Sequence, residues 1–328
     1  MHLPIEYLSL RVVEIINKLT TLDIRTEIDK GLNPTIYYID NIKDIGGINS
    51  TNILSNEATI YISKPYCQML WIICNIALRI HDSAAVVGAY EKMNVSEKNA
   101  YNRELEIDCH ITRYLKQVGN WENTLKVISE LGEIIKRMLN CNISNEEIAC
   151  NEYISDLKSE LATRVNSLYC YGTAFILAHE FSHFSLGHNL SIDSSIEEEK
   201  DADSNAFWAM FCDLDGAEKE TAMMGVICAL SSLLFINPIL EKDCVHPQEN
   251  ERLFNFYDIV FDEIQKKSYM QMLIMLLTTW AVCCEIDDFP KVVELNASSE
   301  CLNEMRQYLA RLAAQAPVQQ SIHIKNSN

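Results

Sequence analysis

Phe175-Ile176-Leu177-Ala178-His179-Glu180-Phe181-Ser182-His183-Phe184 is the most informative stretch of the chain. It sets an HExxH pattern inside a segment that otherwise reads as strongly helical. Positions i and i+4 of a helix lie about 40° apart around the axis, so both imidazoles leave the same face. Two neutral imidazoles so placed can bind a zinc ion. Glu180, one residue round, is close enough to act on a metal-activated water without being a ligand itself. Short patterns also recur by chance, so the surrounding sequence must carry the reading.

Downstream, Glu197-Glu198-Glu199-Lys200-Asp201-Ala202-Asp203-Ser204-Asn205-Ala206 opens a second helix beyond a turn at Gly187. A catalytic zinc takes three protein ligands and keeps one position open. Glu199 can supply the third ligand. Asp203 shares its face at i+4 and can accept a hydrogen bond from the back nitrogen of a ligand histidine. Ala202 and Ala206 are small enough to let the two helices approach closely. A helix dipole alone favours acidic residues in a first turn. That accounts for Glu197 and Glu198, but not for Glu-x-x-Ala-Asp-x-x-Ala following HExxH so closely. A third histidine ligand would need Gly three residues after the second His and the His three further on. Here Gly187 and His188 come at four and five, so Gly187 reads as a helix cap and His188 as a capping residue or one behind the ligands.

A third element is Cys244-Val245-His246-Pro247-Gln248-Glu249-Asn250-Glu251-Arg252-Leu253. His246 precedes a proline at a helix start. It could donate a hydrogen bond to the oxyanion formed when water attacks a carbonyl, with Arg252 orienting it or a neighbouring carboxylate. An ordinary capping region with a solvated arginine explains the same residues, and sequence mechanics leaves both readings open.

The frame around these motifs is helical. The 328 residues include only 10 Gly and 7 Pro, where average usage would give roughly 39 of the two together. So few turn-formers exclude a sandwich or barrel of many short strands. Amphipathic or apolar helical patterns run over residues 5–22 and from Pro65 almost to the end. Helices are expected near 97–118, 122–140, 144–165, 168–186, 195–213, 217–236, 248–266, 268–286 and 298–313. Thr35–Ile39 and Ala58–Ile62 carry the β-branched and aromatic residues of strands, with turn material between them. The expected fold is mainly α with a small antiparallel sheet. One domain over 1–315 is expected, with room for a helical insertion over about 84–142 and a disordered tail at 316–328.

Charge and cysteine usage narrow the setting. The net charge of −19 argues against nucleic acid, because phosphate contacts need clustered Lys and Arg. Thr221–Leu240 is twenty residues without a charge, long enough to cross a bilayer. Asn237-Pro238 interrupts it, acidic residues flank it and no basic cluster marks a cytoplasmic side, so a buried core helix is the preferred reading. Twelve cysteines without a CxxC pair read as reduced thiols in a cytoplasmic protein.

His179-Glu180-Phe181-Ser182-His183 followed by Glu199-Lys200-Asp201-Ala202-Asp203 resembles the gluzincin metallopeptidases. The His246-Pro247 and Arg252 element is similar to that of the prenyl-protein peptidases. Length and the helix-rich layout look most like the Lit-type phage-exclusion peptidases, which cleave an elongation factor during abortive infection. The resemblance implies a zincin-like fold with one Zn²⁺ per chain on His179, His183 and Glu199. It implies Glu180 as general base, Asp203 behind the ligands, and His246 with Arg252 at the oxyanion. It further implies a protein or peptide substrate, an elongation-factor-like target among them, and a sheet edge at residues 58–62 that holds it. The expectation is a zinc-dependent endopeptidase. The competing one is a sensor or binding module of the same fold whose metal is structural.

Overall fold

The computed structural model describes residues 3–18, 36–40, 42, 46–50, 58–107, 109–155, 160–188, 195–237, 248–260, 263–292 and 298–316. Helix α1 (Ile5–Lys18) is amphipathic, burying Ile5, Val12, Ile15 and Ile16 and exposing Tyr7 and Leu10. Three strands follow: β1 (Ile36–Ile39), β2 (Gly46–Ser50) and β3 (Ala58–Ser63). The rest is helical: α2 (Lys64–Lys92), α3 (Val95–Glu104), α4 (His110–Val118), α5 (Trp121–Leu139), α6 (Asn145–Cys150), α7 (Glu152–Ser155), α8 (Glu160–Ser185), α9 (Ile196–Phe211), α10 (Gly216–Ile236), α11 (Glu249–Val260), α12 (Glu263–Cys283) and α13 (Ser299–Gln315).

The sheet corrects two expectations. Its order is β1-β3-β2, and it is mixed, not antiparallel. β1 runs parallel to β3 with Ile36 opposite Ile60, while β2 runs antiparallel to β3 with Ile48 opposite Ile60. The strand over 58–62 is therefore the central one, with both sides paired, and it has no free edge for a bound chain. β1 and β2 form the edges among the described residues, and β2 lies against α8. The misreading has a physical cause: β-propensity identifies a strand but says nothing about which neighbour it pairs with or in which sense.

β3 passes straight into α2, where the Ser63 hydroxyl caps the helix by accepting from Tyr66 N–H (3.1 Å) and Pro65 sits in the first turn. Every residue from Tyr66 to Ile80 is buried. A helix apolar all round belongs inside a protein or a membrane. Here its faces are taken by α5, α8, α10 and α12. α10 is the same kind of element, since Ala222–Phe235 are buried without a gap. By length and composition α2 and α10 would each span a bilayer, yet their apolar surface is mostly covered by neighbouring helices. Polar ties cross this interior. The Tyr66 hydroxyl meets Ser232 Oγ at 2.8 Å, and Trp280 Nε1–H donates to Leu234 O at 2.8 Å.

Several helix boundaries differ from expectation: the 144–165 region holds α6, α7 and the start of α8, α11 ends at Val260 and α12 begins at Glu263, and two further differences have a local cause. The 97–118 region is two helices, because local bonds around Cys109, including Cys109 N–H to Thr112 Oγ1 at 3.1 Å, turn the chain. Conversely, α8 runs unbroken through 165–168, where no Gly or Pro interrupts it. The 316–328 tail lies outside the described residues beyond Ala316. α5, in the region read as a possible insertion, buries Val127, Leu131, Ile135 and Met138 in the same core as α8 and α10.

α8 and α10 cross at a pair of glycines. A Cβ on Gly225 would stand 2.6 Å from Leu168 O, and one on Gly172 would stand 2.7 Å from Gly225 O. The obstructing atoms are backbone, so the helices would have to separate. Gly225→Ala gains about 1 kcal/mol of helix propensity, against an overpacking cost at the upper end of roughly 1–3 kcal/mol. We expect a net loss of up to about 2 kcal/mol in denaturant unfolding. An unchanged or raised midpoint would contradict so close a crossing.

Candidate metal centre

The end of α8 carries the HExxH residues, and its burial is already set by the helix upstream, where Phe175, Leu177 and Ala178 are in the core. His179 and His183 are each 5% exposed. Their rings meet edge to face, with centroids 4.8 Å apart and Nε2 atoms 3.2 Å apart. Glu180, next on the helix, is half-buried. α9 begins with a capping box: Ser195 N–H donates to Glu198 Oε2 (2.7 Å) and Glu198 N–H to Ser195 Oγ (3.2 Å). That start orients Glu199 inward. Glu197 stays exposed, while Glu199 is 1% exposed and presents one carboxylate oxygen to each imidazole, Oε2 to His179 Nε2 and Oε1 to His183 Nε2, both at 3.2 Å.

Ala202 and Ala206 are fully buried, as close packing of α9 on α8 requires. Asn205 Nδ2–H donates to Ser182 Oγ (3.2 Å) across the same seam. Phe175 stacks on Phe207 at 5.0 Å between centroids, and Phe207 on Phe256 at 4.7 Å. This aromatic column joins α8, α9 and α11 beside the donor set, and it is not legible in the sequence, since an aromatic in an apolar helix carries no sign of its partner.

Behind the donors, Asp203 Oδ1 lies 2.9 Å from His179 Nδ1. Arg252, on α11, grips the same carboxylate with two donors, Nε to Oδ2 at 2.8 Å and Nη2 to Oδ1 at 2.7 Å. Of the two roles the sequence leaves open for Arg252, orienting a neighbouring carboxylate is the one this contact describes. His246 lies in residues 238–247, outside the described residues. His188, a cap or a residue behind the ligands by its sequence, has both contacts: its N–H donates to His183 O at 2.9 Å, and its Nδ1 lies 2.9 Å from His183 Nδ1.

The electrostatics favour positive charge at the centre. Burial and the Arg252 guanidinium push the His179 imidazole down, but hydrogen bonds to Asp203 and Glu199 outweigh them and raise it to about 9. Burial opposes the charge of Asp203, and Arg252 and His179 overcome it, holding that carboxyl well below the usual carboxylate range. His179, His183 and Glu199 are the group of donors among the described residues that could hold a metal ion, with all ligand atoms within 4.8 Å of one another. Their chemistry and spacing fit one. Four ligands at about 2.0–2.1 Å from a tetrahedral ion stand roughly 3.3 Å apart; the two imidazole Nε2 atoms stand 3.2 Å apart, and Glu199 turns one oxygen to each of them, Oε2 to His179 and Oε1 to His183, at 3.2 Å.

Fold and site together define a mostly helical protein with a buried His-His-Glu set suited to a metal ion. The family model for peptidase U49 matches residues 60–272, close to two thirds of the chain and inclusive of every residue of the centre. The chain belongs to the peptidase U49 family, a Lit-type family of peptidases. No curated protein and no solved structure matches it.

Two outcomes follow from the electrostatics. A metal ion must displace the proton that His179 holds up to about 9. Apparent affinity for a divalent ion should therefore fall about tenfold for each pH unit below that value and level off above it. Competition with a chelator across pH measures this, and a flat profile would contradict it. Arg252→Met should leave Asp203 buried without its partner and cost about 3 kcal/mol or more in unfolding of the metal-free protein. A loss under 1 kcal/mol would mean that the ion pair contributes no more than an exposed one.

Proposed function

We propose that the protein is a zinc-dependent endopeptidase with a zincin-like fold, formed by one domain over about 1–315. The observation that carries this reading is the buried triangle of His179, His183 and Glu199, with Glu180 beside it on the same helix. Three protein ligands leave a fourth position for water or substrate, as in catalytic zinc sites, whereas structural sites are closed by four. That favours catalysis over a sensor with a structural metal. A zinc ion bound here would supply Lewis acidity to the attacking water and to the scissile carbonyl.

Glu180 takes the proton from the water as it attacks and passes it to the leaving amine. His246 donates a hydrogen bond to the developing oxyanion. Arg252 acts through Asp203, which fixes the tautomer and direction of His179. An extended substrate segment would add by main-chain pairing to β2, an edge strand among the described residues that lies against α8. Membership of a Lit-type family supports a protein substrate, an elongation-factor-like one among the candidates, and a role in phage defence. The described cysteines are all free thiols, which supports a cytoplasmic setting.

Glu180→Gln should keep about one zinc per chain by elemental analysis and lose cleavage altogether. Comparing new protein N-termini in cells expressing the wild type and this variant identifies the substrate in the same experiment. Cleavage that persists in Glu180→Gln would sink the assignment of the base.

A further inference from the structure

The two ligand histidines are held from behind in different ways. His179 turns Nδ1 to a buried carboxylate. His183 turns Nδ1 to another imidazole, that of His188, at 2.9 Å, with the rings at 64° and their centroids 5.1 Å apart. Two neutral ring nitrogens at that distance share one proton, so one is the donor and the other the acceptor. His183 Nε2 stands 3.2 Å from both His179 Nε2 and Glu199 Oε1, within the donor triangle. To offer a lone pair there, His183 must carry its proton on Nδ1. The direction of the bond is then set: His183 Nδ1–H donates, His188 Nδ1 accepts, and the His188 proton sits on Nε2.

Local backbone structure builds this contact. α8 ends at Ser185, and Gly187 takes φ +71°, the left-handed conformation that a side chain disfavours. The reversal lets His188 N–H donate to His183 O at 2.9 Å, the six-to-one bond of a glycine-terminated helix. The main chain thus clips His188 to the residue whose ring it contacts.

We propose that His188 is a positioning residue that accepts the Nδ1–H of His183 and keeps this ligand in the tautomer whose Nε2 is free for the metal. Neutral imidazole in water favours the other tautomer, with the proton on Nε2, so the partner has work to do. The inference rests on the zinc reading above. Ligand histidines ordinarily donate to a carboxylate, a carbonyl or water, and removing such a partner typically lowers metal affinity by about 10–100-fold.

The test compares the full chain with His188→Ala and His188→Asn, because an Asn Oδ1 stands close to where Nδ1 of a histidine would. Three quantities are read: zinc affinity by chelator competition, metal-free thermal unfolding, and histidine tautomers by long-range ¹H–¹⁵N NMR of the metal-free protein. His188→Ala should bind zinc about 10–100-fold more weakly with its metal-free melting temperature unchanged. His188→Asn should recover most of that loss. The share of the His183 Nδ1–H tautomer should be lower in His188→Ala than in the wild type. Zinc binding by His188→Ala as tight as wild type, or an Asn variant as weak as the Ala one, overturns the inference. If the wild type binds no zinc, the zinc reading fails instead. The tautomer comparison then still decides this one: a shift in His188→Ala supports it, and an unchanged His183 overturns it.

Discussion

The burial of four ionisable side chains together, His179, His183, Glu199 and Asp203, with the mostly covered Arg252 behind them, is the constraint on which the rest of the structure depends. Removing a charge from water costs several kcal/mol per ion even after relaxation, and nothing in the apolar helices around it returns that cost. It is offset only by mutual pairing in good geometry. Arg252 meets Asp203 with two short bonds, Asp203 meets His179, and Glu199 meets both imidazoles. These contacts join two pairs of helices. The ion pair ties α11 to α9, and the carboxylates tie α9 to α8. A shift of any one helix would leave a charge uncompensated, so the centre constrains the packing as much as the packing builds the centre.

The apolar helices supply what the polar cluster cannot, a rigid frame. α2 over Tyr66–Ile80 and α10 over Ala222–Phe235 are buried on every face, and α8 is pressed against α10 at Gly172 and Gly225 with backbone almost touching backbone. At that separation the helices have a single arrangement, because either a Cβ at the crossing or a wider gap would forfeit dispersion contacts along both. The scarcity of glycine is therefore informative. Two of the 10 glycines make this crossing, and a third, Gly187, ends the ligand helix. Long uninterrupted helices elsewhere hold those points in place.

Local features of this structure were legible in the sequence, and relational ones were not. His179, His183, Glu199 and Asp203 could be placed because i and i+4 spacing puts each pair on one face without any knowledge of the fold. Helix existence was readable from composition and pattern, and the start of α2 from Pro65, whereas the Ser63 cap before it was not singled out by the sequence. The pairing sense of β1 was not readable, because a parallel neighbour is chosen by the path of the chain between Ile39 and Ala58. Nor was the partner of Arg252, which lies 49 residues from Asp203. The extent of α8 was missed for a different reason. Where every face is buried the apolar pattern loses its period, and boundaries then rest on the few capping residues present.

The two ligand histidines show how these kinds of information divide within one site. His179 is held by long-range order: its back nitrogen depends on Asp203, which depends on Arg252, so its orientation exists only when α8, α9 and α11 are packed. His183 is held by short-range order: its partner is five residues away, brought back by a glycine turn that needs nothing beyond the end of α8. Loosening the helix packing and loosening the turn should therefore disturb different ligands. A site whose ligands are oriented through separate routes keeps part of its donor set when either route fails. Metal affinity then declines in steps, while the full donor set forms only when tertiary packing and the local turn are both in place.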